Sequence, residues 1–235
     1  MGEVEDVSHK ITKELLRWPG YQHLAAVMNE LPDLRIYLAG GALRDFFLQR
    51  YGRPKDFDFF LGGPGVDLAL SMLESHGPMR SGPFGSPRWY PEGDEYCCDL
   101  IPIERFWNGL WRCEDIVDAL NQFDFTGNAV AIDLRSGEFY DPQNGRRDMY
   151  RNVMRIVRFD YPDEPIAPGQ SLTRLAVLWF RVLQYTKLLG LRIEPVTRGW
   201  LIRHWSYLEY KASFTSTFFP LNENFDDILC DKPEK

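Results

Sequence analysis

The chain has 235 residues, of which 44% are hydrophobic, 14% aromatic and 26% charged, and 27 Lys+Arg against 34 Asp+Glu give a formal net charge of −7. That is an ordinary soluble globular composition, long enough to bury a core as one large domain or two small ones. No apolar run approaches a membrane span, and the acidic first 16 residues lack a signal peptide's apolar stretch, so a cytoplasmic protein with no membrane partner is expected.

Taken in chain order, two amphipathic helices are predicted over about 7–18 and 23–31. A short strand, Ile36-Tyr37-Leu38-Ala39, then meets a Gly40-Gly41 turn and a helix over 42–50 with Leu43, Phe46 and Phe47 on one side. Gly52, Arg53 and Pro54 end that helix, and a second strand covers 57–61. A helix follows over 66–74, and 77–93, rich in Gly and Pro, is expected to be a long loop. The best strand after it covers 95–103, and a short helix is expected over 116–120. Beyond a Pro-rich linker at 162–169, a strongly apolar helix over 171–189 carries Leu172, Leu175, Ala176, Trp179 and Leu183 and ends at Gly190. A further helix covers 195–208, and the chain closes in an acidic tail. Cys97, Cys98, Cys113 and Cys230 show neither zinc spacing nor a disulfide framework, so reduced thiols are expected. Trp107, Trp111, Trp179, Trp200 and Trp205 are read first as core residues and second as surfaces on which bases stack.

Chemistry enters at the turn. Glycines there let a phosphate approach the main chain, the first turn of the following helix favours an anion, and Arg44 adds a charged donor. On the second strand, side chains two apart share a face, so Asp56 and Asp58 point the same way. Two hard carboxylates on one face suit Mg²⁺, which binds through one or two carboxylates, waters and substrate phosphates.

Gly40-Gly41-x-x-Arg44-Asp45 followed by Asp56-x-Asp58 resembles the head-domain signature of class II tRNA nucleotidyltransferases (CCA-adding enzymes) and bacterial poly(A) polymerases, within the DNA polymerase β-like superfamily. The segment 123–131 resembles that family's Asp-Phe-Thr-x-Asn-Ala block, 137–148 its Asp-Pro turn and Gly-x-x-Asp, and 189–195 its Leu-Gly-x-x-Ile-Glu-Pro. The resemblance implies an α+β fold: a mixed-sheet nucleotidyltransferase head flanked by helices over 1–143, then a small α-helical neck over 144–235. It further implies template-independent transfer of nucleotides from NTPs to an RNA 3′-end, with a tRNA-like acceptor and two Mg²⁺ ions held by three carboxylates. Asp56 and Asp58 match the first two. Asp99 is the candidate for the third, with Glu95 and Glu104 as alternatives. Gly40, Gly41 and Arg44 would hold the triphosphate, Asp45 would brace the turn or touch the sugar, and Asp124, Asn128 and Arg174 would lie near the nucleotide. Where the family's neck helix opens with Glu-Asp-x-x-Arg to choose the base, this chain has Gln170-Ser171-Leu172-Thr173-Arg174, so relaxed base choice is expected.

Charge is uneven. Residues 144–205 carry 11 Lys+Arg against 5 Asp+Glu, whereas 1–143 carry 13 against 23. Arg151, Arg155 and Arg158 fall at i, i+4 and i+7 of a predicted helix, a stripe suited either to an RNA backbone or to solvation. Two other functions stay open: transfer to a protein hydroxyl or a small molecule, and a non-catalytic nucleotide- or RNA-binding module.

Overall fold

A computed structural model describes residues 10–48, 50, 57–82, 85–93, 97–107, 109–167 and 169–221. Strands β1 (Arg35–Ala39), β2 (Phe57–Gly62), β3 (Met79–Ser81), β4 (Pro87–Trp89), β5 (Cys98–Pro102), β6 (Ala131–Asp133) and β7 (Phe139–Tyr140) form one sheet in the order β3-β4-β5-β2-β1-β6-β7. Its pairings are antiparallel except β2 with β5, so the sheet is mixed, as the resemblance implied. Helices α1 (Tyr21–Glu30), α2 (Gly41–Phe47), α3 (Val66–Glu74) and α4 (Ile116–Leu120) accompany the sheet. They are followed by α5 (Gly145–Tyr150), α6 (Arg174–Leu189), α7 (Pro195–Arg203) and α8 (Lys211–Thr217), giving an α+β architecture.

Side-chain alternation divides the sheet into two faces. Ile36, Leu38, Phe57, Phe59, Leu61, Cys98, Leu100 and Ile132 enter the main core beneath Leu24, Leu43 and Leu73 of the first three helices. That cluster runs on without a break into Leu175, Trp179 and Leu183 of α6 and Phe214 of α8, across position 143. The opposite face carries Tyr37, Ala39, Phe60 and Ala131, covered by Ile103, Ile116, Ala119 and Leu120. Asp58 and Asp99 belong to this second face, two positions before Phe60 and Ile101.

Local chemistry sets the helix ends. The Thr173 hydroxyl caps α6 by accepting from the Ala176 N–H at 3.3 Å, and Gly190 closes it in the left-handed conformation, φ 67°. Glu194 caps α7 at the Thr197 N–H, with Pro195 next in line. Helix α6 begins three residues later than the apolar spacing suggests because residues 164–173 fold back on themselves. Ile166 N–H donates to Leu172 and Arg174 N–H to Glu164.

The Gly- and Pro-rich stretch at 77–93 is not a plain loop, since β3 and β4 pair within it, Met79 opposite Trp89, and Trp89 is fully buried. Arg151, Arg155 and Arg158 do not share a helix. Asn152 adopts φ 54°, the chain then enters β8 (Val153–Met154), paired in parallel with β9 (Arg192–Ile193), and Ile156 pairs with Phe125. Helix α7 also stops at Arg203, with a 3-10 turn over Trp205–Tyr210 in place of its last stretch. Of the first predicted helix, 10–15 is helical; residues 7–9 and the tail beyond 221 lie outside the described residues.

Candidate active site

The turn between β1 and α2 stands directly over β2. Gly40 adopts φ 74°, a conformation that favours glycine, and a Cβ built there would lie 3.0 Å from Asp58 Oδ2, so the turn approaches that carboxylate closely. Beneath, the register of β2 against β5 pairs Asp58 with Asp99. Aligned residues of neighbouring strands point to the same face, so these two carboxylates are lateral neighbours. Asp56 falls outside the described residues, as does Glu95. Glu104 is exposed on the 3-10 turn Ile103–Arg105, which follows β5.

Asp99 is engaged by a residue that the motifs did not flag. Arg88 on β4 donates to both of its oxygens, at 2.7 and 2.8 Å, in a half-buried bidentate pair, and that hydrogen bonding raises the arginine's already high pKa further. Gly82 lies beside the same carboxylate: a Cβ there would be 3.5 Å from Asp99 Oδ1.

Next to the turn is a buried polar knot. Arg44, 6% exposed, donates through Nε to Asp45 and through Nη1 to Asn128, both at 2.8 Å. Asn128 Nδ2 donates at 3.0 Å to Asp124, which also accepts from the Phe125 N–H. The other Asp124 oxygen receives Arg181 of α6 at 2.9 and 2.8 Å. Arg44 and Arg181 both stand over the Tyr185 ring, 4.9 and 5.3 Å from its centroid. The knot thus fastens the Gly-Gly turn, the Asp124–Asn128 loop and α6 to one another. Arg181 and Tyr185 went unflagged, although they follow Arg174 at i+7 and i+11 and so share its helix face.

The Gly-x-x-Asp segment supports that loop from behind. Asp148 accepts from the Thr126 hydroxyl at 2.8 Å and from Arg155 Nε at 2.8 Å. Gly145 lets α5 approach the Thr126 carbonyl, and Asp141 accepts the Gly145 N–H at 2.6 Å. Arg155 is accordingly turned inward, and Arg158 is paired with Asp160 and stacked on Trp111 at 4.4 Å, so of the predicted basic stripe only Arg151 is exposed.

Arg174 opens α6 and sits over the Trp107 ring at 5.8 Å. Trp179 and Trp200 are core residues, whereas Trp107 and Trp205 are exposed. Cys97, Cys98 and Cys113 form no disulfide among the described residues; burial pushes Cys113 up to about 11 and Cys98 well above its ordinary range, which leaves both unreactive near neutrality. Cys230 lies outside the described residues, and among those described no helix is long and apolar enough to cross a membrane.

No family model matches the chain. It is 34% identical over 168 residues to the Multifunctional CCA protein of Xanthomonas oryzae pv. oryzae (strain MAFF 311018), a match covering 65% of this chain and 38% of that protein. The Multifunctional CCA protein of Stenotrophomonas maltophilia (strain K279a) is 31% identical over 166 residues, 65% of this chain and 39% of its own length. The chain therefore spans about four-tenths of the length of these curated relatives. Among solved structures, a tRNA nucleotidyltransferase complexed with a primer tRNA and an incoming ATP analog superimposes with a TM-score of 0.61 at 20% identity, over 82% of this chain and 54% of that one. A Thermotoga maritima CCA-adding enzyme complexed with tRNA gives 0.60 at 20% identity, over 81% and 43%. The chain is thus similar in sequence to Multifunctional CCA proteins over about two-thirds of its own length and shares the fold of part of the solved tRNA nucleotidyltransferases.

Proposed function

We propose that this chain comprises the head and neck of a template-independent, metal-dependent nucleotidyltransferase that adds nucleotides from NTPs to the 3′-end of a tRNA-like RNA, in the cytoplasm. The observation that carries this reading is the register of β2 and β5, which sets Asp58 beside Asp99 on the sheet face overlooked by Gly40. The names of the sequence relatives support it.

Two neighbouring carboxylates, with Asp56 two positions before Asp58, form an all-oxygen donor set that fits Mg²⁺; Asp56, Asp58 and Asp99 would hold it, as two ions. When bound, the metal neutralises triphosphate charge and favours ionisation of the attacking 3′-hydroxyl. The chain's own residues supply position. Gly40 and Gly41 leave room for phosphate at the start of α2, while the Arg44–Asp45 pair braces the turn. Asp124 and Asn128, held by Arg44 and Arg181, would lie near the nucleotide, as would Arg174 at the start of α6. In this reading residues 1–143 bear the chemistry and 144–235 the nucleotide-facing helix and the RNA contact at Arg151.

The test incubates purified protein with Mg²⁺, each labelled NTP in turn and an RNA pool containing tRNA that lacks its 3′-end, with Asp58→Asn alongside. Extension of RNA by the wild type alone is expected. Label transferred to protein or to a small product would replace RNA as the acceptor.

One observation favours a second reading, a nucleotide- or RNA-binding module without chemistry: both oxygens of Asp99 are taken by Arg88. The two readings part at this pair. If the carboxylate belongs to a metal site, Arg88 competes with the ion, and Arg88→Met is expected to tighten Mn²⁺ binding by up to about five-fold, the size of one partly exposed ion pair. Unchanged Mn²⁺ affinity in the variant, measured by titration, would favour the binding module.

A further inference from the structure

We propose that Arg80 on β3 is a contact for a backbone phosphate of the RNA acceptor, an inference that rests on RNA being the acceptor. Sheet register sets its place. Arg80 stands opposite Arg88, Arg88 opposite Asp99, and Asp99 beside Asp58, which pairs in turn with Ala39 at the foot of the Gly-Gly turn. Aligned residues of neighbouring strands share a face, so two arginines and two carboxylates run in one row across the sheet. Alternation agrees, because Met79 and Trp89 pack into the main core and so turn Arg80 and Arg88 to the other face.

Within that row Arg80 is the cation with charge to spare. Arg88 is held by both oxygens of Asp99, and the pair carries no net charge. Arg80 is exposed, and none of the ion pairs among the described residues includes it. Nor is its side chain loose. The guanidinium stands over the Tyr90 ring, 5.2 Å from the centroid, and the Tyr90 N–H donates to the Pro78 carbonyl at 3.0 Å, which extends the β3–β4 hairpin beneath the pair. The hairpin's far end is open, since a Cβ at Gly85 would meet nothing within 4 Å. A braced, accessible guanidinium without a counter-ion suits a phosphate, whose oxygens its planar fork can meet in pairs.

Position decides whose phosphate this is. Neighbouring strands lie about 4.8 Å apart, so Arg80 is roughly 10 Å from Asp99 and, four strands from β1, roughly 19 Å from the turn assigned to the triphosphate. The phosphates of the incoming NTP are beyond its reach. In an in-line transfer the attacking hydroxyl and the departing pyrophosphate lie on opposite sides of the phosphorus. With the triphosphate on the β1 side of Asp58, the 3′-hydroxyl arrives from the Asp99 side, and the strand that carries it runs out over β4 and β3.

The test follows binding of a fluorescein-labelled RNA with an unpaired 3′-end by anisotropy over a range of salt, and of ATP by calorimetry, for the wild type, Arg80→Gln, Arg80→Lys and Arg17→Gln. Arg17 is the comparison, an exposed arginine between Leu15 and Trp18 of the main core and so on the far side of the sheet. Each phosphate contact to a single strand adds about 0.7 to the slope of log affinity against log salt. Arg80→Gln is expected to lower that slope by about 0.7 and RNA affinity by about five-fold at about 0.1 M salt, while lysine keeps the slope, Arg17→Gln behaves as the wild type and ATP affinity changes less than about two-fold. An unchanged slope in Arg80→Gln, an equal fall in Arg17→Gln, a parallel loss of ATP affinity, or no RNA binding by the wild type would each overturn the contact. Arg80-dependent RNA binding without any nucleotidyl transfer would instead overturn the proposed activity and leave the contact standing. Normal transfer to RNA with a salt slope indifferent to Arg80 would do the reverse.

Discussion

Asp58→Asn is expected to lower Mg²⁺-dependent nucleotidyl transfer by about a thousand-fold or more, roughly 4 kcal/mol of transition-state stabilisation. The amide matches the carboxylate in size, so Gly40 above it and Asp99 beside it keep their places. What changes is charge: a neutral amide is a poor ligand for a hard divalent ion, and the triphosphate loses its counter-charge where negative charge builds up. Stability should move far less than activity, because Asp58 is only half-buried and the amide keeps its shape. Steady-state transfer rates and a thermal melt on the same preparation separate the two effects. A variant that keeps a tenth of the wild-type rate, or one that fails to fold, would contradict the assignment of Asp58 to chemistry.

Gly145→Ala is expected to have the opposite profile, a large loss of stability at a site that touches no substrate. A Cβ at 145 would sit 1.9 Å from the Thr126 carbonyl oxygen and 2.7 Å from its carbon, both main-chain atoms that cannot rotate away. Alanine is the better helix former by about 1 kcal/mol, but the collision outweighs that gain, because α5 must move away from the loop. Moving it also breaks the bonds from Thr126 and Arg155 to Asp148, whose carboxylate is almost fully buried. A net loss of about 3 kcal/mol, or a fall in Tm of about 6–12 °C for a chain of this size, follows. Urea denaturation of wild type and variant measures it, and an unchanged midpoint would mean that α5 does not press on the loop as described.

The two halves of the site differed in how legible they were from sequence. The strand bearing Asp58, the Gly-Gly turn and the short helix Ile116–Leu120 are marked by local signals, namely apolar runs bounded by Gly and Pro and an Asp115 cap at 2.9 Å from the Asp118 N–H. Asp99 was reachable because it lies on the strongest apolar run before the second motif. Arg88 was not, because strands β3 and β4 are three residues each and sit in a segment whose glycines and prolines resemble those of a loop. The supposed helical stripe of Arg151, Arg155 and Arg158 failed for a related reason. Periodicity is blind to a single residue such as Asn152 in the left-handed region, which turns one helix into a turn and a strand. Arg181 left a readable trace, seven residues after Arg174 on the same helix, but its partner Asp124 lies 57 positions away and only the fold brings them together.

The fold makes one more demand on the relation between sequence and function. The knot that joins the turn, the Asp124–Asn128 loop and α6 ties the proposed catalytic face to the proposed nucleotide-facing helix through Arg44, Asn128, Asp124 and Arg181. Polar groups so nearly buried hold a geometry only while all are satisfied. The glycine turn and the distant Asp-Phe-Thr-Gly-Asn segment are therefore two sides of one hydrogen-bonded unit.

The claim on which the rest depends is that Asp58 and Asp99 jointly hold a divalent cation. Titrating Mn²⁺ into the intact chain and following the free ion by electron paramagnetic resonance, for wild type, Asp58→Asn and Asp99→Asn, tests it without requiring a substrate. Saturable binding by the wild type, weakened at least about ten-fold by either substitution, is the predicted result. Wild-type affinity in Asp99→Asn, or no saturable binding by the wild type, would contradict it.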